Sequence, residues 1–178
     1  MIRINETYYL SAYTLDDVER LSTVISDPEI ARNTLTIPYP YSLDEAKKWL
    51  TELETRKQAG GAQCLWAIRN DKHQVCGAIN RHQKYRPNSH KDEIGYWLMR
   101  PLWGQGLMTK VVNIFSQYCF DNFDLARLEA PVFDFNKGSA RVLEKSGYQL
   151  EGVIRKAIRK DGVFYDSLLY AKIADQDE

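Results

Sequence analysis

Trp103-Gly104-Gln105-Gly106-Leu107-Met108-Thr109 carries the sharpest chemical signal in the chain. Two glycines let main-chain N–H groups approach an anion closely. An apolar pattern of helical spacing begins directly after Gly106, so the positive end of a helix dipole points at the same place. The chemistry on offer is the binding of a phosphate or diphosphate. A Walker loop needs four residues between its first glycine and Gly-Lys-Ser/Thr, and a dinucleotide fingerprint needs a third glycine where Thr109 stands, so neither motif is present. By itself the segment is equally a tight strand-to-helix turn that binds nothing. Away from the loop, Glu93, Glu151 and Ser139 are of types that move protons. Each has a plainer reading as well: a partner for a basic residue across a sheet, a solvent-facing strand carboxylate, and a hydroxyl bonded back to its helix.

The elements that must position these residues are announced by spacing. Tyr8 to Thr14 alternates and predicts a strand, and Leu15, Val18, Leu21, Val24 and Ile25 recur at helical spacing until Asp27-Pro28 closes the helix. Ile37-Pro38-Tyr39-Pro40-Tyr41 is a loop, because each proline pushes its predecessor to an extended conformation and supplies no N–H. Ser42 with Glu45 is a capping box for a helix whose apolar stripe is Ala46, Trp49, Leu50 and Leu53, ending at Gly60-Gly61. Cys64 to Ile68 and Val75 to Arg81 predict a hairpin around Asn70-Asp71-Lys72. Ile94 to Met99, apolar on both faces, predicts a central strand ended by Pro101. Met108, Val111, Val112, Phe115 and Cys119 make one face of the helix after Gly106. Arg127 to Phe133 predicts a strand and Asn136 caps a short helix closed by Gly147. Tyr148 to Ile158 and Phe164 to Ile173 make a terminal strand pair around Asp161-Gly162, and Asp175 to Glu178 is a polar tail. No repeat or interior linker interrupts the pattern, so a single mixed α and β domain over residues 1–178 is expected.

The chain has 178 residues with 24 Lys plus Arg against 24 Asp plus Glu, a net charge of zero that gives DNA no field to follow. At 44% hydrophobic and 27% charged, with no apolar run near the roughly 18 residues of a membrane span, it reads as soluble with no membrane partner. Met1 to Leu10 lacks the apolar core and cleavage site of a secretory signal, so a cytoplasmic location is expected. Cys64, Cys76 and Cys119 form no Cys-x-x-Cys pair, and His73, His82 and His90 stand at no ligand spacing from them. No metal is expected, and the thiols read as reduced and structural. The basic run Arg155-Lys156-Ala157-Ile158-Arg159-Lys160 reads as a solvated face.

The segment from Glu93 to Thr109 resembles the GCN5-related N-acetyltransferase (GNAT) superfamily, and most closely its branch of ribosomal-protein N-terminal acetyltransferases. The likeness continues through Asn136-Lys-Gly-Ser139 to Glu151-Gly152 and on to Asp166 and Tyr170, in the family's order and spacing. The first half matches more loosely, through Pro38-Tyr39-Pro40-Tyr41 ahead of a helix. The resemblance implies a twisted, mixed, mostly antiparallel sheet of about seven strands flanked by about four helices. The family's strands four and five splay apart, and the pantetheine of acetyl-CoA pairs with strand four, here Glu93 to Met99. Pro131 fits the opening, since proline removes a ladder donor, and fits an edge strand as well. The family's acetyl-CoA loop, Gln/Arg-x-x-Gly-x-Gly/Ala, falls on Trp103, Gly106 and Met108, of which only Gly106 conforms. Because main-chain N–H groups do most of the holding, side-chain departures at the other two are compatible with binding. The implied acetyl-CoA contacts are Trp97, Leu98 and Met99 on the strand, Trp103, Gly104, Gln105, Gly106, Leu107, Met108 and Thr109 in the loop, then Asn136 and Lys145.

Acetyl transfer from a thioester needs a neutral amine, an oxyanion donor and a proton for the leaving thiolate. The family achieves it by direct attack without an acyl-enzyme. An α-amine ordinarily titrates near ~8 and a lysine near ~10.4, so the former needs less help at neutral pH. The resemblance makes Glu151, then Glu93, the proton acceptor and Ser139 the acid that reprotonates CoA, with a backbone N–H around Trp97 to Met99 meeting the oxyanion. Tyr39 and Tyr41 would wall the acceptor pocket, or simply pack. The expected function is acetyl-CoA-dependent N-acetylation of a protein or peptide α-amine, a ribosomal-protein N-terminus among the candidates, by a monomer or homodimer. The rivals are acetylation of a polyamine, aminoglycoside or amino acid, and a non-catalytic CoA-binding module.

Overall fold

The computed structural model describes residues 1–82 and 89–174; the polar tail at 175–178 lies outside them. The chain forms two units, Met1–Asn80 with Tyr96–Trp103, and Arg81–Gly95 with Gly104–Glu178.

In the first unit, β1 (Ile2–Arg3), β2 (Tyr9–Ser11), β3 (Leu65–Arg69) and β4 (Val75–Arg81) pair antiparallel in that order. Its helices are α1 (Val18–Ile25), α2 (Pro28–Asn33) and α3 (Leu43–Gln58). The capping box forms as spelled: Ser42 Oγ accepts the Glu45 N–H at 3.1 Å, and Glu45 Oε2 accepts the Ser42 N–H at 2.7 Å. The Ser42 N–H, and with it the Ser42 hydroxyl at 2.9 Å, donate to the Glu45 carboxylate and lower it below its ordinary range. Ala46 and Leu50 are buried against Tyr13, Leu21, Val24, Ile25 and Ala67, with Trp49 and Leu53 at the margin. A buried ion pair fixes this unit: Arg69 Nη1 and Nη2 each donate to Asp17 at 2.7 Å, and Arg69 Nε donates to Ser11 Oγ at 2.7 Å. One guanidinium thereby joins β2, β3 and the 3-10 turn Leu15–Asp17.

The second unit begins with the start of β5 (Lys91–Leu98), whose last three residues belong to the first unit, and continues with α4 (Leu107–Phe123), β6 (Arg127–Phe133), α5 (Lys137–Lys145), β7 (Gln149–Lys160) and β8 (Val163–Ile173). The strand order is β5-β6-β8-β7, with β5 and β6 parallel and the others antiparallel. Met108, Val111, Val112, Phe115 and Cys119 are all buried, so the apolar face read from their spacing is the packed face of α4. Burial pushes the Cys119 thiol up to about 12, as suits an inert core residue.

Among the described residues there are eight strands, mostly antiparallel, and five α-helices, against about seven and about four expected. The surplus is β1 and α2. Asp27-Pro28, expected only to close α1, also opens α2: Asp27 Oδ1 accepts the Glu29 N–H at 2.8 Å and Pro28 occupies the first helical position, where no N–H is required. The strand expected over Tyr8 to Thr14 is only Tyr9–Ser11, because Thr14 and Asp17 turn the chain into the 3-10 segment.

The expected splay begins inside the second unit. The parallel pairs of β5 and β6 are Lys91 with Arg127, Asp92 with Leu128 and Glu93 with Glu129, although β6 runs on to Phe133. The Arg127 N–H donates to the His90 carbonyl at 3.2 Å. Strand residues turn alternate backbone groups to opposite neighbours, so Glu129 and Pro131 also turn theirs toward β5, and Pro131 has no N–H to give. On its other side β6 stays paired with β8 throughout, Pro131 opposite Leu169.

Candidate active site

The anion cradle of the second unit is built by backbone conformation. Gly104 and Gly106 have φ of +73° and +75°, in the left-handed region, and Gly106 is the N-cap of α4. A Cβ at either would have nothing within 4 Å, so the space beside them is open and the left-handed backbone alone demands glycine. Leu107 and Met108 send their side chains into the core, while Gln105 is exposed. The Met108 departure from the family pattern is therefore a core side chain, and the first-turn N–H groups, which a helix cannot satisfy internally, face the loop. Ser146 Oγ donates to the Thr109 carbonyl at 3.3 Å, which ties the end of α5 to the first turn of α4 and brings the exposed Lys145 to the same end.

Asn136 caps α5 as expected, its Oδ1 accepting the Ser139 N–H at 3.0 Å. Glu93 is half-buried in the last paired rung of β5 and β6, and its carbonyl accepts the His82 N–H at 2.8 Å. Glu151 is placed differently. Arg127 Nη1 donates to its Oε1 at 2.8 Å and Nη2 to its Oε2 at 2.5 Å, while Arg127 Nε donates to Glu129 at 2.8 Å. The hydrogen bonds from Arg127 hold the Glu151 carboxyl below its ordinary range and raise the guanidinium. A carboxylate with both oxygens engaged by a permanent cation is a weak proton acceptor.

In the first unit, the Met99 N–H donates to the Cys76 carbonyl at 2.8 Å, so Met99 and Trp97 turn their backbone groups toward β4, and Leu98 turns its own to the opposite edge. The Trp103 indole N–H donates to the Leu98 carbonyl at 2.7 Å on that edge. Trp103 therefore acts on the strand backbone, in accord with its departure from the Gln/Arg of the family loop. Gly77 of β4 is a position that spacing does not reveal: a Cβ there would fall 2.5 Å from the Trp97 carbonyl oxygen, so glycine lets the two strands close up beneath Trp97. Tyr41 packs at the margin of the α1–α3 core, which pushes its hydroxyl up through burial and then through Glu45, and its N–H donates to Ser26 Oγ at 3.0 Å. Tyr39, on the same loop, is 56% exposed. Among the described residues no His, Cys, Asp and Glu group could hold a metal ion, and no helix is long and apolar enough to cross a membrane.

Comparison with known proteins bears on the family and the fold. The model of the acetyltransferase (GNAT) domain matches residues 8–149. The probable N-acetyltransferase YjcK of Bacillus subtilis (strain 168) is 31% identical over 138 residues, covering 78% of this chain and 76% of that protein. The ribosomal-protein-serine acetyltransferase of Escherichia coli (strain K12) is 24% identical over 176 residues, covering 98% and 97%. Among solved structures, the ribosomal L7/L12 α-N-protein acetyltransferase RimL in complex with coenzyme A superposes with a TM-score of 0.83 at 24% identity, covering 99% of each chain.

Proposed function

The chain belongs to the GNAT acetyltransferase family, and from that premise we propose that residues 1–178 act as one N-acetyltransferase domain carrying the acetyl group of acetyl-CoA to the α-amine of a protein or peptide. It is an acetyl-CoA-dependent N-acetyltransferase. The acceptor class is supported by its ribosomal-protein relatives, and by the smaller pKa adjustment that an α-amine requires. The observation that carries the reading is the Gly104–Gly106 cradle at the start of α4, whose left-handed glycines and open surroundings fit a diphosphate.

When bound, acetyl-CoA supplies the thioester carbonyl and its thiol leaving group. The main-chain N–H groups from Gly104 to Thr109 hold the diphosphate, aided by Lys145, and Asn136 orders the start of α5 beside Ser139. In the first unit, the Leu98 N–H, turned away from β4, is the strand donor of the kind a developing oxyanion requires. Ser139 returns a proton to sulfur. With Glu151 bound to Arg127, Glu93 is the proton acceptor of the second unit, and the exposed Tyr39 is the first unit's candidate for contact with the acceptor.

Thermal melting with and without acetyl-CoA tests the cradle, with desulfo-CoA and ATP as controls: at 100 times the dissociation constant, stabilisation of about 2.7 kcal/mol is expected. An acetylation panel of peptides and small amines then tests the acceptor. Turnover confined to polyamines, aminoglycosides or free amino acids refutes the α-amine reading.

A further inference from the structure

Asp92 precedes Glu93 on β5, and its residue is only 2% exposed. Burying a charge is costly unless it is paired. The partner is Arg81, the last residue of β4: its Nη1 donates to Asp92 Oδ2 at 2.9 Å, and its guanidinium carbon lies 3.9 Å from the centroid of the Phe123 ring of α4. The other carboxylate oxygen, Oδ1, accepts the main-chain N–H of Glu93 at 2.8 Å. On Glu93 itself, the carbonyl accepts the His82 N–H at 2.8 Å. Both main-chain groups of Glu93 are therefore held, one by a strand-end neighbour and one by a side chain. Glu93 stands at the end of both neighbouring ladders: the rungs of β5 with β6 stop at Glu93 and Glu129, and β4 stops at Arg81, one residue short of His82.

A buried ion pair adds little net stability over well-packed apolar residues of similar volume. What apolar residues could not supply is the acceptor at Oδ1. That acceptor fixes the peptide plane from which the Glu93 side chain leaves, at a point where strand pairing stops. A general base must stand within hydrogen-bond reach of the proton it takes, and a misplacement of about 1 Å can cost roughly a hundredfold in rate. Resting on the reading of Glu93 as the proton acceptor, we infer that Asp92 is a positioning residue for acetyl transfer. Braced by Arg81, it holds the Glu93 main chain so that the Glu93 carboxylate meets the proton of the attacking amine. Being buried, Asp92 acts through Glu93 and not on the substrate.

Two double variants isolate that acceptor, because neither leaves a charge buried alone. Arg81→Met with Asp92→Asn keeps an Oδ1 beside the Glu93 N–H, and Arg81→Met with Asp92→Leu removes it. Both are melted and are assayed beside wild type, with acetyl-CoA varied against the peptide or small amine that wild type acetylates fastest. The leucine variant is expected to show a kcat at least about tenfold below the asparagine variant, an equal KM for acetyl-CoA, and a Tm no lower, since apolar residues fill the core as well as polar ones. A merely structural role would make activity follow Tm instead. A kcat within about twofold between the two overturns the inference, as does a loss that tracks a lower Tm or a higher acetyl-CoA KM. Glu93→Gln separates the two readings. If it keeps turnover within about threefold of wild type, Glu93 is not the base and Asp92 has nothing to position; if it abolishes turnover while the double variants stay equal, only the role of Asp92 falls.

Discussion

Arg127 on β6 and Glu151 on β7 face each other across the intervening β8 in a two-pronged ion pair, at 2.8 and 2.5 Å. The pair spans three strands of the second unit and takes up both oxygens of a glutamate that sequence likeness marks for proton transfer. With 41% of the Glu151 side chain exposed, solvent screens the interaction, and its worth to stability is about 0–1 kcal/mol. Glu151→Gln is expected to keep turnover within about threefold of wild type, as for a surface ion pair. The carboxyl is depressed in the folded chain, so the pair contributes fully above its ordinary value of 4.5 and is lost as pH falls through the lower folded value. The Tm difference between wild type and variant should close in acid and shrink with salt. Turnover that disappears at unchanged Tm would restore Glu151 as the base.

Gly106→Ala puts a side chain at φ +75° without any clash, so its cost is backbone strain of about 1–2 kcal/mol. A Tm lower by roughly 2–8 °C is expected for a chain of this size, together with a smaller acetyl-CoA-induced shift. An undiminished acetyl-CoA shift would mean that the diphosphate is held elsewhere.

Asn136 and Ser139 can be separated, because the cap uses the main-chain N–H of Ser139 and not its hydroxyl. Asn136→Ala should lower stability by about 1 kcal/mol. Ser139→Ala should leave Tm near wild type and reduce turnover at least about tenfold if its hydroxyl reprotonates sulfur. Equal Tm losses in the two variants would reduce Ser139 to a structural role, and kinetics with melting curves on both decide it.

Arg69→Met strands Asp17 in the core and is expected to cost about 3–5 kcal/mol by urea unfolding. Adding Asp17→Asn should recover part of that loss, because the two residues share one buried interaction. A double variant no more stable than Arg69→Met would show that the guanidinium acts mainly through its bonds to Ser11 Oγ and the Ala12 and His73 carbonyls.

What was legible in the chain was whatever depended on neighbours in sequence. Gly106 ahead of the Met108–Cys119 stripe marked the start of α4, Ser42 and Glu45 that of α3, and Asn136 that of α5, because caps and periodicities act within a few residues. Asp27-Pro28 was ambiguous, since the same pair closes one helix and opens another. The rest depended on which strands are neighbours. Arg127 reaches Glu151 only because β8 lies between β6 and β7, and Gly77 is required only because Trp97 passes over it. Glu151 could be singled out by its position in a motif, but its engagement by a cation 24 residues away could not.

Pro131 has a kinetic corollary. With no hydrogen to offer toward β5, β6 cannot zip onto it there when no ligand is present, so entry of a slender chain need not wait for rungs to break. Loading should then run at the ordinary pace of diffusive encounter, and an alanine at this position, by allowing a self-made latch, should slow association more than dissociation.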